Sequence, residues 1–267
     1  MRLTRVLGAL TGSVLLAAGL AAVPGTAEAR AVVPCDLTAL VNAIDAANTA
    51  GGGSLALAPL CTYTLSTVDN DSVDGANGLP VITTNISITG ALSTIERSSA
   101  PGTPDFRIFQ IDPPDGNLTL TGVTVRNGRA EPGQIGGGIW LHDGGTLHVV
   151  NSTITNNVGS DSGGGDIGNN TATAASGVGG GILNASTLNV TTSQLVDNTA
   201  GGASSRGGGL FNSGTATFQT SLVRSNHAND GGGIFNSAGL GAVTLALTPV
   251  ILNTPNNCAP TGSVAGC

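Results

Sequence analysis

The 267-residue chain contains no lysine, and only 9% of its residues are charged. Ordinary globular domains run near about 25% charged residues, so packed helices with charged outer faces are not expected to dominate the fold. Nine arginines and a net charge of −7 leave no basic stripe to neutralise a phosphate backbone, so nucleic acid is not an expected partner. Aromatics make up 3%, with one tryptophan, one tyrosine and five phenylalanines. Few of them can be spared for the surface.

Glycine is what the chain has in excess, at 42 residues. A flexible glycine-rich linker would show such a count, but it would lack the apolar surface that offsets ordering entropy. Here hydrophobic residues reach 40%, and the glycines recur in register with Ile, Leu and Val. That pattern points to repeated tight turns.

The repeat is explicit. Residues 145–154 read GTLHVVNSTI, 186–195 read STLNVTTSQL and 214–223 read GTATFQTSLV, with looser copies from Ile86, Leu118 and Val243. Between them stands a second element, Gly-Gly-Gly followed by Ile139-Trp140, Ile182-Leu183-Asn184, Leu210-Phe211-Asn212 and Ile234-Phe235-Asn236. The spacing and the short alternating segments predict an all-β, single-stranded, right-handed parallel β-helix with three strands per coil and about seven coils. Alternation puts Leu147, Val149, Leu188, Val190, Ala216 and Phe218 in the lumen, with His148, Asn189 and Thr217 outside. Outward Thr119, Thr217 and Thr244 share a row broken by His148 and Asn189, which argues against an ice-binding array. Asn127, Asn156, Asn198, Asn226 and Asn253 fall at strand ends and are expected to take positive-φ corners. The polar stretch 159–177 is expected to be an inserted surface loop.

Leu37, Leu40, Val41 and Ile44 fall on one face of a predicted short helix, with Asp36 placed to cap it. Such a helix would plug the first coil. The expected organisation is a signal peptide over 1–29 and one β-helix domain over 30–267. Within it, 30–66 form the cap and first coil, 79–253 the coils, and 254–267 a C-terminal cap.

The signal reading rests on Arg2 and Arg5, the apolar stretch from Val6 to Val23, and the small-x-small triplet Ala27-Glu28-Ala29. It predicts a secreted, extracellular or cell-surface protein, with no membrane association after cleavage. Four cysteines suit an oxidising compartment. A solenoid holds its ends apart, so of the three possible connectivities the expected one is Cys35–Cys61 with Cys258–Cys267.

The Gly-Gly-Gly-Ile-x-Asn elements and the x-Thr-Leu-x-Val-x-x-Ser-x-Ile/Leu-x-x-Asn repeats resemble secreted actinobacterial right-handed β-helix proteins. They are similar to the repeats of chlamydial polymorphic outer membrane proteins and, more distantly, to the pectin-lyase-like superfamily. The resemblance covers nearly the whole chain after residue 29 and is specific for fold. A fold shared by lyases, hydrolases, adhesins and structural passengers does not name an activity.

Three kinds of site can be weighed. A glycosidase or lyase needs clustered carboxylates, and no Asp–Asp or Asp/His group recurs on one outer face, so no catalytic residue is assigned. Arg126 and Arg224 occupy equivalent outward places, and His142, His148 and His227 are scattered. Asp69, Asp71 and Asp74 beside Gly75 gather carboxylates that could hold Ca²⁺, although Val73 stands where an EF-hand needs its third acid. Otherwise no cofactor is expected. Finally, Trp140, Leu183, Phe211 and Phe235 form one column. If the preceding Ile and Leu point inward, the column faces out and could bind an extracellular polysaccharide or a cell-surface protein. In the opposite register it is core. Oligomeric state is not legible in the sequence.

Overall fold

The computed structural model describes residues 32–72, 75–129, 138–157, 171–172, 182–200, 205–237, 239 and 241–267. The segment expected to be a signal peptide lies outside them, as does the 159–177 insertion except for Thr171–Ala172, a short strand paired with Thr199–Ala200.

Three parallel ladders stack along one axis. The first runs through Gly52–Leu57, the leading halves of Asn85–Arg97 and Asn117–Arg126, then Thr146–Val150, Thr187–Thr191, Thr215–Gln219 and Ala242–Ala246. The second takes Thr62–Leu65, the trailing halves of those two long strands, then Thr153–Thr155, Gln194–Val196, Leu222–Arg224 and Val250–Ile251. Because the two long strands run unbroken through the corner, both ladders belong to one 13-stranded sheet. The third ladder is a 6-stranded sheet: Phe109–Ile111, Ile139–Leu141, Ile182–Asn184, Leu210–Asn212, Ile234–Asn236 and Cys258–Ala259.

The fold is thus a parallel β-helix. Its expected seven coils correspond to about five turns enclosed by neighbours on both sides, plus an end rung at either extremity. The expected lumen column holds: Ile86, Leu118, Leu147, Leu188 and Ala216 are all fully buried, as are Ile88, Leu120, Val190 and Phe218. Each buried aliphatic side chain contributes roughly 1.5–3 kcal/mol, and only stacking supplies that burial, since no coil encloses its own core.

The corners are built differently from expectation. Between the first two ladders the chain turns through positive φ at Leu60, Leu92, Gly122, Asn151, Thr192, Thr220 and Leu247. The next residue points inward and is usually a small hydroxyl. Backbone N–H groups of Val123, Ser152 and Ser193 donate to Ser152, Ser193 and Ser221 Oγ at 3.2 Å, and Ser221 N–H donates to Thr248 Oγ1 at 3.1 Å. These hydroxyls satisfy amides that the bend takes out of the ladder.

At the next corner positive φ belongs to Asn127, Asn156, Asp197, Ser225 and Leu252. Asn127 and Asn156 therefore do what the sequence suggested. Asn198, Asn226 and Asn253 do not: they sit one residue later, buried, and form a side-chain ladder. Asn198 Nδ2 donates to Asn226 Oδ1 at 2.7 Å, and Asn226 Nδ2 donates to Asn253 Oδ1 at 2.9 Å. Asp197, Ser225 and Leu252 take the bend there instead, and the carboxamide of the following Asn faces inward.

The helix Leu37–Thr49 closes the N-terminal end, burying Leu40, Ile44 and Ala47, with Ala39 N–H donating to Asp36 Oδ1 at 2.9 Å. Val32–Val33 pairs with Ala56 and Leu57. Tyr63 joins these pieces: its buried hydroxyl donates to Val33 O at 2.7 Å and accepts from Ala58 N–H at 3.0 Å. Desolvation raises its pKa above the ordinary tyrosine value, opposed by the bond from Ala58. Both expected disulfides, Cys35–Cys61 and Cys258–Cys267, are formed, as befits an oxidising compartment.

Candidate functional site

The third ladder carries the aromatic column, and its glycine runs explain its shape. Gly207 and Gly231 take φ of +69° and +61°, left-handed values that glycine adopts without a steric cost. A Cβ on Gly208 would overlap the carbonyl oxygens of Gly232 and His227, and one on Gly232 would overlap that of Thr254. Rungs approach here by bare backbone. Each run then delivers three residues of strand in register: Ile182, Leu210 and Ile234; Leu183, Phe211 and Phe235; Asn184, Asn212 and Asn236.

The first residue of each triplet is buried in the lumen. The third is also buried, and its carboxamides stack: Asn184 Nδ2 donates to Asn212 Oδ1 at 2.8 Å, and Asn212 Nδ2 to Asn236 Oδ1 at 2.9 Å. Alternation therefore sends the middle residue outward, so the register question has a definite answer. Trp140 pairs with Gln110, and Leu141 pairs with Asn184, which brings Leu183 into line between Trp140 and Phe211. The side chain of Leu183 lies outside the described residues.

Facing outward does not make the column open. Trp140 is only 6% exposed and Phe235 7%, yet neither belongs to the lumen cluster. Trp140 is covered by polar groups. The Arg107 guanidinium carbon lies 4.8 Å from its ring centroid and the His142 ring 4.4 Å away. Arg107 is itself fully buried, donating from Nη1 to Gln110 Oε1 at 2.8 Å and to Asn77 Oδ1 at 3.3 Å. Gln110 Nε2 in turn donates to Asp112 Oδ1 at 2.9 Å.

Two rungs further on, the cover thins. Phe211 is half-buried and stacks on Phe235 with centroids 5.4 Å apart and planes 5° from parallel. The exposed Arg206 lies over the Phe235 ring, its guanidinium carbon 5.0 Å from the centroid. Among the described residues no carboxylate lies within ion-pair reach of Arg206. A flat apolar ring, partly wet, beside a solvated cation can stack on a planar or ring-shaped ligand and bond to its polar edge. The sequence pattern pointed to the phenylalanines. It gave no sign of Arg206 or Arg107, whose aromatic partners each lie about one rung away in sequence.

The other candidates are dispersed. Asp69 and Asp71 are exposed, on and beside the hairpin of Asn70–Ser72 with Gly75–Asn77. Asp69 Oδ2 accepts from Asn70 Nδ2 at 2.9 Å, and Asp74 lies outside the described residues. Among the described residues no group of three or more His, Cys, Asp or Glu side chains could hold a metal ion. Two of the described carboxylates are engaged by arginines: Asp105 with Arg97 at 2.9 Å and Arg129 at 3.3 Å, and Glu96 with Arg126 at 2.6 Å. Desolvation lowers the pKa of Arg97, with Asp105 opposing. Arg126 and Arg224 do share an outward column. His148 stands in the first ladder, His142 follows the third-ladder strand Ile139–Leu141, and His227 bridges Thr199 and Thr254.

No protein-family model, curated protein or solved structure matches the chain. The class rests on its own strand pairing, which is that of a parallel β-solenoid.

Proposed function

We propose that this is an exported β-helix acting outside the cell or at its surface as a non-catalytic binding, adhesion or structural module. Its ligand face is the third-ladder column of Trp140, Leu183, Phe211 and Phe235, centred on Phe211. The observation that carries this reading is the half-exposed Phe211 stacked on Phe235, with the exposed Arg206 guanidinium over the Phe235 ring. An extracellular polysaccharide or a cell-surface protein suits such a surface. The two disulfides support an oxidising setting, and the signal-like N-terminus supports export. In this reading the likeness to polymorphic outer membrane protein repeats reflects a shared passenger architecture, and no cofactor takes part. Ca²⁺ at Asp69, Asp71 and Asp74 is the one metal the reading leaves to be tested, by calorimetric titration.

The test is a panel of plant and microbial polysaccharides offered to the purified protein. Retention without cleavage, weakened about tenfold in Phe211→Ser with the fold intact, supports the binding module. Release of reducing or unsaturated products would instead favour the alternative, a pectin-lyase-like lyase or glycoside hydrolase.

A further inference from the structure

The two ends of the solenoid are finished differently. The helix Leu37–Thr49 and the strand Val32–Val33 cover the first rung. At the other end, Ala242–Ala246 is the terminal strand of its ladder, with no strand beyond it among the described residues. The tail adds a strand on the third-ladder side, where Cys258–Ala259 pairs with Ile234 and Phe235, and Val264 reaches the lumen cluster.

Backbone orientation on that open strand is fixed by its inner neighbour. Ala242 N–H donates to Gly214 O at 2.9 Å, and Ala246 O accepts from Thr220 N–H at 2.8 Å. In a parallel ladder alternate residues point their N–H and C=O to the same side. Val243 and Leu245 therefore direct theirs outward along the axis, away from the body. Their side chains continue the lumen column but remain only partly buried. Leu247, Ile251 and Leu252 nearby are 85%, 42% and 71% exposed.

Open edges of this kind are normally blunted by Lys, by other charges or by proline within the strand. Ala242–Ala246 has none of these. From Gly231 to Cys267 the chain carries no charged side chain and no histidine, although the whole chain has a net charge of −7. Two copies can therefore approach at this segment without repulsion between its own side chains.

We propose that a second copy of this chain docks here, the two Ala242–Ala246 strands pairing antiparallel across a twofold axis at Thr244. That register sets Val243 opposite Leu245 of the other copy. It matches both outward N–H and C=O groups of each in reciprocal bonds, as a hydrogen-bonded antiparallel pair requires. The opposed Val and Leu side chains lie on the lumen side, so the two aliphatic cores become continuous. Thr244, outward and exposed, meets its own symmetry mate. The interface is self-complementary and closes as a dimer.

Sedimentation velocity of the disulfide-intact protein, from about 1 to about 100 µM, tests this. The expected result is a monomer–dimer equilibrium. Thr244→Lys opposes two like charges without touching the lumen or the inner ladder, and weakens association about tenfold or more. Mixing it with Thr244→Glu restores the dimer. A monomer at every concentration would overturn the proposal. So would a Thr244→Lys protein that dimerises like the parent, or open-ended growth beyond the dimer. If the edge instead accepts a strand from another protein, the isolated chain stays monomeric, and the proposal fails on that outcome too.

Discussion

Replacing Asn226 by alanine removes the centre of the buried carboxamide ladder. Asn226 is 1% exposed. Its Oδ1 accepts from Asn198 N–H at 2.9 Å and Asn198 Nδ2 at 2.7 Å, and its Nδ2 donates to Leu195 O at 3.2 Å and Asn253 Oδ1 at 2.9 Å. In the variant Asn253 Oδ1 keeps the backbone N–H of residue 226 as a donor, so the loss there is small. Asn198 loses the partner of two buried donors. At about 1–3 kcal/mol for each buried donor left unsatisfied, with partial relaxation, the cost is about 3–4 kcal/mol. For a chain of this size that corresponds to a drop in Tm of about 10 °C, followed by far-ultraviolet dichroism. Hydrogen exchange should place the loosening at Asn198, because a solenoid transmits stability between neighbouring rungs. Asn229→Ala, at an exposed position, should change stability by less than about 0.5 kcal/mol. If Asn226→Ala melted within about 2 °C of the parent, the ladder would not be a principal support of the corner.

Four further outcomes follow from the same structure. Tyr63→Phe leaves Ala58 N–H without its acceptor and should cost about 1–3 kcal/mol, read from denaturant unfolding. Because the folded pKa of Tyr63 is raised, its contribution is fully present below the unfolded tyrosine value of about 10 and is lost as pH rises through the folded value. Stability should therefore fall on the alkaline side, less steeply in Tyr63→Phe. Reducing Cys35–Cys61, with a separation of 26 residues, should cost about 3.5 kcal/mol on the chain-entropy model, and Cys258–Cys267, with a separation of 9, about 2.7 kcal/mol. Trp140→Ser should lower stability by about 3–5 kcal/mol by uncovering Arg107, whereas Phe211→Ser should fold normally and retain ligand about tenfold more weakly.

Much of the fold was legible because its signal repeats. Leu188 and Val190 alternate with polar neighbours, and Ala216 with Phe218 repeats the alternation one coil later. A period of two under a longer period leaves one register in which every copy buries its aliphatic pair. The corners were less legible because asparagine serves two purposes there. At Asn127 and Asn156 it tolerates a left-handed bend; at Asn198 and Asn226 it is a buried bridge between rungs. Strand-end position does not distinguish the two roles, and the tolerance of Asp197 and Ser225 for the bend hid the shift by one residue. The aromatic column was legible as a column but not in its cover. Arg107 reaches Trp140 from the preceding rung, and Arg206 reaches Phe235 from the approach to the strand before it. Neither follows the repeat.

The account depends on which residues of a strand face the lumen, and adjacent cysteine substitutions test that most directly. The chain has no free cysteine, so Ala216→Cys and Thr217→Cys each introduce one thiol, at a buried and a half-buried position respectively. Under native conditions a small alkylating reagent should label the thiol at 217 readily, and the thiol at 216 only when the protein unfolds. Equal labelling of the two, or faster labelling at 216, would contradict the stacked register on which the lumen, the aromatic column and the open edge all rest.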